Sequence, residues 1–142
     1  MDYDVIVVGG GNAAFAAALS ARENGAKRVL VLEKAPREKR GGNTHFSGAV
    51  FRFIYNDVSE LDRFVPNAER DYPGFHTGVQ PYPVAVFRDD LMRVTQGRSD
   101  PELAALLVEN SYDTMCWLQD VGKQKFELAV SVMGVRVGNE VK

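Results

Sequence analysis

Cysteine is nearly absent from this chain of 142 residues: Cys116 stands alone, with no intramolecular partner for a disulfide. That excludes a disulfide-stapled scaffold and fits a reducing compartment. Histidine is almost as scarce, and His45 and His76 lie too far apart in sequence to give a metal-ligand spacing. Charge of one sign is lacking too. Seventeen basic residues against 19 acidic ones leave a net charge of −2, which excludes the electrostatic footprint of a nucleic-acid binder or of a protein held on an acidic membrane. No apolar run is long enough to span a bilayer. The apolar run from Val5 to Val8 follows Asp2 and Asp4 rather than a basic leader, so the N-terminus reads as part of the fold and not as a secretion signal. These absences leave a soluble, cytoplasmic protein as the expectation. With 45% apolar and 25% charged residues, the chain has ordinary globular proportions and the length of one domain.

What is present is concentrated at the N-terminus. Val5, Ile6, Val7 and Val8 are apolar without alternation, the pattern of a strand buried on both faces of a parallel sheet. Gly9, Gly10 and Gly11 break it, and an alanine-rich segment over 12–24 then reads as a helix ended by Gly25. Val29–Leu32 reads as a second buried strand, with Glu33 at its end. Strand, helix and parallel strand form one crossover unit, so the expected fold class is α/β, of the Rossmann type.

Further along, residues 37–40 form a charged cluster and residues 41–44 a tight turn or loop. Residues 49–55 read as a strand or the end of a short helix, and 57–64 as one or two helical turns. The stretch 66–83 holds four of the six prolines and reads as a loop whose Tyr72, Phe75 and Tyr82 pack onto something. A helix is expected over 87–96, stopped by Gly97, with Asp89 and Asp90 at its start. A single long helix is expected over 100–121, capped by Asp100 and Pro101. Its buried face would carry Leu103, Leu106, Leu107, Thr114, Trp117, Leu118 and Val121. A strand over 126–132 and a hairpin partner over 135–137 complete the reading.

The chemistry lies in Gly9-x-Gly11-x-x-Ala14. The first glycine permits a sharp exit from the strand, the second lets a pyrophosphate touch backbone, and the small third residue lets the helix lie against the strand. The pyrophosphate would then meet the unpaired N–H groups at the helix start. Glu33 follows Ala14 by 19 residues, where a carboxylate accepts both ribose hydroxyls of an adenosine and disfavours a 2′-phosphate. The fingerprint alone does not separate FAD from NAD. Its place at the start of the chain, and Gly41-Gly42-Asn43-Thr44 soon after Glu33, favour FAD.

These segments resemble the flavoprotein family of succinate dehydrogenase and fumarate reductase, and within it the tricarballylate dehydrogenase branch. The matching pieces are VIVVGGGNAAFAAALSARENGA, VLVLEKAP, RGGNT and FRDDLMRVTQGRSDPELAALLVENSYDTMCWLQDVG followed by KFELAV. The resemblance implies that Gly9, Gly11, Asn12, Ala13 and Ala14 hold the pyrophosphate, and that Glu33, Lys34 and Ala35 surround the ribose. It places Arg40, Gly41, Gly42, Asn43 and Thr44 toward the isoalloxazine ring, with Ser47 and Gly48 nearby. The histidine that attaches FAD covalently in membrane-bound succinate dehydrogenases aligns with Asn43, not His45, so the resemblance implies non-covalent FAD. It also implies a glutathione-reductase-like FAD domain, incomplete in this chain. Residues 1–56 would be its N-terminal part and 57–142 a helical continuation toward a capping domain.

The acid–base residue and the substrate ligands of the family would lie past residue 142, so the resemblance assigns no catalytic residue to this chain. The implied function is an FAD-dependent dehydrogenase of a small, tricarballylate-like carboxylate, passing electrons to an unidentified acceptor. Alternatives are a same-family enzyme acting on fumarate or a ketosteroid, or an inactive nucleotide-binding fragment. Two strands without further neighbours also imply exposed apolar surface and self-association.

Overall fold

The computed structural model describes residues 2–129, 136–137 and 140–141. It divides into two compact units, Met1–Val50 and Phe51–Lys142. The aromatic residues Phe53 and Tyr55 pack against the core of the second unit.

The first unit is a β-α-β unit. Strand β1 (Val5–Val8) pairs in parallel with β2 (Val29–Leu32), in the register Val5 to Val29 and Val8 to Leu32. The pairing is anchored at its N-terminal end by Asp4, whose carboxylate accepts the N–H groups of Lys27 at 2.7 Å and Arg28 at 2.8 Å. At the other end Gly9 adds a rung, donating to the Leu32 carbonyl at 2.7 Å. Helix α1 (Asn12–Glu23) lies on the sheet and buries Ala14. It ends in a Schellman motif. The Ala26 N–H reaches the Ala21 carbonyl at 3.0 Å and the Gly25 N–H the Arg22 carbonyl at 3.2 Å, with Gly25 at φ +95°.

Strand β1 is not buried on both faces as its composition implies. Val5 and Val7 are half-buried, whereas Ile6 and Val8 are exposed, Val8 by 84%. One helix shields one face of a pleated pair, and alternation along the strand sends every second side chain to the other face. The chain thus combines helices with a small parallel sheet.

The second unit is helical. A 3-10 helix, Val58–Arg63, opens with a capping box: Asp57 accepts from the Ser59 N–H at 2.9 Å, and Glu60 accepts from the Asp57 N–H at 2.9 Å. The proline-rich stretch contains two single-turn helices, α2 (Ala68–Asp71) and α3 (Phe75–Gly78). Their Ala68 and Phe75 join Val58 and Leu61 in a buried cluster, which Tyr72 flanks. Beside it, buried Phe64 meets Phe53, Tyr112 and Phe126 at ring distances of 5.2, 5.7 and 5.7 Å. Residues 49–55 form neither strand nor helix; only Tyr55 makes a bridge, to Tyr82.

Helix α4 (Val84–Val94) begins three residues earlier than expected, after Pro83, so Asp89 and Asp90 lie within it rather than at its start. The long helix expected over 100–121 is two, α5 (Pro101–Glu109) and α6 (Ser111–Asp120). Asn110 and Ser111 break it by turning their side chains back on the backbone, to the Leu106 and Val108 carbonyls, both at 2.8 Å. The Asp100 cap is present and accepts from Glu102 and Leu103. The buried face is Ala104, Val108 and Met115, while Leu103, Leu106 and Leu107 are exposed. Residues 126–129 carry no strand, and 130–132 and 135 lie outside the described residues. The short antiparallel pair formed is β3 (Arg136–Val137) with β4 (Glu140–Val141).

Candidate functional site

The candidate site lies within the first unit, at the C-terminal ends of β1 and β2. In a parallel sheet these ends face the start of the following helix, which is where anions and nucleotides bind in such folds. A cavity of about 500 Å³ opens there. It is lined by Val8 and the glycine turn with Asn12 and Ala13, by Leu32, Glu33 and Lys34, and by Gly41, Gly42, Asn43 and Thr44.

Each part of the turn has a local cause. Gly9 has φ +120°, a conformation L side chains avoid, and it sends the chain from strand to helix. A Cβ on Gly9 would lie 4.0 Å from the Ala14 Cβ, so the small residue at 14 sits directly against the turn. A Cβ on Gly11 would come within 3.1 Å of the Gly41 carbonyl and 3.2 Å of the Thr44 hydroxyl. Gly11 thus leaves room for the second loop to dock. The N-cap Gly11 offers no side chain to the opening amides of α1. The Asn12 N–H is taken by Thr44 Oγ1 at 3.1 Å. Those of Ala13 and Ala14 precede the first intrahelical bond, from the Phe15 N–H to the Gly11 carbonyl.

Glu33 is half-buried at the end of β2. Its Oε1 accepts the Ala35 N–H at 2.8 Å and its Oε2 the Gly41 N–H at 3.4 Å. The Ala35 N–H foremost, with those of Gly41, Gly10 and Lys34, holds the carboxyl below its ordinary range despite some desolvation. Glu33 is therefore anionic at neutral pH, with acceptor capacity left over. The second loop is a 3-10 helix, Gly42–Phe46, entered through buried Gly41 at φ +108°.

Most of the sequence-predicted residues converge here: Gly9, Gly11, Asn12, Ala13, Glu33, Lys34, Gly41, Gly42, Asn43 and Thr44 line the cavity. Ala14 and Ala35 act behind the wall, one against Gly9 and one through its N–H on Glu33. Arg40, Ser47 and Gly48 are exposed and outside the lining. Ser47 instead turns back to the Thr44 carbonyl. His45 is also outside it, its ring edge-on to Phe46 at 5.0 Å. Val8, Gly10 and Leu32, read from the sequence only as strand or turn, also line the cavity. Their signal was position, since strand ends and the turn between them form the floor of such a site.

His76 pairs with Asp62 at 2.9 Å and Glu69 at 3.6 Å, but among the described residues no group of three ligating side chains could hold a metal. Cys116 is half-buried on α6. Among the described residues no helix is long and apolar enough to cross a membrane.

The arrangement fits an ADP-like half: glycine-built room beside a helix start, and a carboxylate opposite. The chain is similar to the fumarate reductase (cytochrome) of Shewanella frigidimarina, 29% identical over 119 residues, 84% of this chain and 18% of that protein. It is similar to the urocanate reductase of Eggerthella lenta, 32% identical over 117 residues, 82% and 16% of the two chains. It is also similar to the NADH:fumarate oxidoreductase of Klebsiella pneumoniae, 29% identical over 120 residues, 84% and 11% of the two. The chain thus spans less than a fifth of the length of these relatives. A family model described as FAD binding domain matches residues 4–137. The chain belongs to that FAD binding domain family, the flavoproteins of the succinate dehydrogenase and fumarate reductase group.

Proposed function

We propose that this chain holds the ADP half of FAD for an oxidoreductase acting on a small carboxylate. The observation that supports this best is the cavity itself, which brings the opening of α1, the glycine turn and the Glu33 carboxylate to one place. In this reading the N–H groups of Ala13 and Ala14 meet the diphosphate, aided by the helix dipole. Glu33 accepts the ribose hydroxyls with the acceptor capacity it has beyond the Ala35 N–H. Lys34 brings a cation to the rim, and Asn43 offers an amide toward the flavin side. Bound FAD supplies hydride transfer at flavin N5. Asn43 in place of a histidine supports non-covalent attachment. The domain type proposed is the glutathione-reductase-like Rossmann fold.

For the substrate, the relatives' names favour reduction of an unsaturated carboxylate such as fumarate or urocanate over oxidation of a tricarballylate-like one. The tricarballylate reading keeps only the resemblance in RVTQGRSDPELAALL. The test is titration of the purified chain with FAD, followed by quenching of flavin fluorescence. Wild type should bind, and Glu33→Lys should bind at least about tenfold more weakly, the loss of one charge-assisted pair of hydrogen bonds. Equal affinity in the two would refute the ribose assignment.

A further inference from the structure

The residues assigned to the cofactor also satisfy one another. Thr44 Oγ1 takes the Asn12 N–H at 3.1 Å. Glu33 Oε2 takes the Gly41 N–H at 3.4 Å, which draws the second loop toward the glycine turn. The glycines are what permit this closure. A Cβ on Gly10 would stand 2.7 Å from Glu33 Oε2, 3.3 Å from its Cγ and 3.4 Å from its Cβ. A Cβ on Gly11 would press on the Gly41 carbonyl and the Thr44 hydroxyl. The loop itself is entered through Gly41 and Gly42, at φ +108° and +55°, two adjacent positions where the backbone turns without a side-chain penalty.

We propose that Gly41–Phe46 with Glu33 forms a latch that competes with FAD for the Asn12 N–H at the opening of α1 and for the Glu33 carboxylate. This rests on the FAD reading above. Opening requires that Thr44 release the Asn12 N–H to a phosphate oxygen. Glu33 Oε2 turns from Gly41 toward the ribose, while Oε1 keeps the Ala35 N–H. The latch makes the cradle selective, since a ligand must offer an acceptor for the Asn12 N–H and a hydroxyl donor for Glu33 Oε2, and must tolerate the Glu33 charge. It also couples cofactor binding to the position of a loop that carries exposed Phe46.

Thr44→Val, Thr44→Ser and Gly10→Ala separate a latch from a ligand. Valine keeps the shape of threonine and removes the acceptor, whereas serine keeps it. Alanine at position 10 crowds the inward position of Glu33 while keeping every backbone N–H. Amide hydrogen exchange in the chain without FAD should show the Asn12 N–H protected in wild type and Thr44→Ser, and exchanging about fivefold faster in Thr44→Val, the worth of one ordinary hydrogen bond. Stopped-flow mixing with FAD should show Thr44→Val and Gly10→Ala associating about fivefold faster than wild type. An Asn12 amide unprotected in wild type overturns the latch. So does slower or unchanged association in Thr44→Val, or weaker FAD binding there that serine restores, which would make Thr44 a ligand. If wild type takes up no FAD, the proposed function fails instead, and the exchange experiment still decides whether the latch contact exists. Far-UV circular dichroism confirms that each variant folds.

Discussion

Replacing Gly9 by alanine, with Gly25→Ala as its partner experiment, tests whether the glycine turn is a site or only a bend. Both residues have positive φ, +120° and +95°. Neither replacement creates a clash, because a Cβ on Gly9 meets only the Ala14 Cβ at 4.0 Å and one on Gly25 meets nothing within 4 Å. The penalty is therefore dihedral in both, on the order of 1–3 kcal/mol at an angle where L residues are strained. The two differ in what the backbone holds. Gly25 closes α1 away from the cavity, so its strain should appear wholly as stability, about 1–2 kcal/mol. Gly9 donates to the Leu32 carbonyl at 2.7 Å and aims the N–H groups that follow it. The strained turn has two ways out. It keeps its shape and loses stability, or it relaxes and misaligns the donors, so stability and affinity losses together should equal the dihedral penalty. Each 1.4 kcal/mol that relaxes into the site lowers FAD affinity about tenfold. Urea unfolding read by amide exchange in β1 and β2, together with FAD titration of both variants, measures the two parts. A Gly9→Ala chain with wild-type stability and wild-type affinity would refute this reasoning. So would a Gly25→Ala chain that loses as much FAD affinity as Gly9→Ala.

Val108 is fully buried, whereas Leu106 is 63% exposed on the same helix; urea unfolding followed by Trp117 fluorescence should show Val108→Ala losing about 2–3 kcal/mol and Leu106→Ala no more than about 0.5 kcal/mol, and the reverse order would refute the assigned face of α5. Glu69 accepts the N–H groups of Gly74 and His76, both at 2.9 Å, and the His76 N–H foremost holds its carboxyl below the ordinary value of 4.5. A group whose folded pKa is depressed stabilises above its unfolded value and loses that contribution as pH falls through the folded one. The urea midpoint should therefore drop more steeply below pH 4.5 in wild type than in Glu69→Gln, and parallel curves would show that these two hydrogen bonds contribute nothing.

The first unit was legible because its signals are local. An unbroken β-branched run, a glycine triplet, an alanine-rich helix and a terminal acid each constrain their own backbone, and each lies where it was read. The second unit was less legible because its outcome depends on partners. Leu103, Leu106 and Leu107 share a helical stripe as apolar as Ala104 and Val108 do, and composition favours the leucines. The structure buries the smaller pair. The break between α5 and α6 was written in Asn110 and Ser111, but only as a capacity. Both residues are tolerated within helices, and here their side chains choose the backbone carbonyls behind them. The exposure of Ile6 and Val8 has the same origin: a strand's second face is buried only when another layer supplies the contact.

Gly10 shows where motif reading stops short. In a fingerprint of the form Gly-x-Gly-x-x-Ala the second position is free, and the acid at the end of the next strand is a separate element found by counting. In three dimensions they are one feature. The Glu33 carboxylate lies where a side chain on Gly10 would have to be, and its second oxygen reaches the Gly41 loop. Three segments separated in sequence therefore share one small volume, and a change in any of them is felt by the others. No spacing rule contains this, because spacing records how far the chain travels and not what it returns to meet. The free position of the motif is thus the one where cofactor affinity and loop closure are most directly coupled, and substitutions there should alter binding rates without removing a single ligand group.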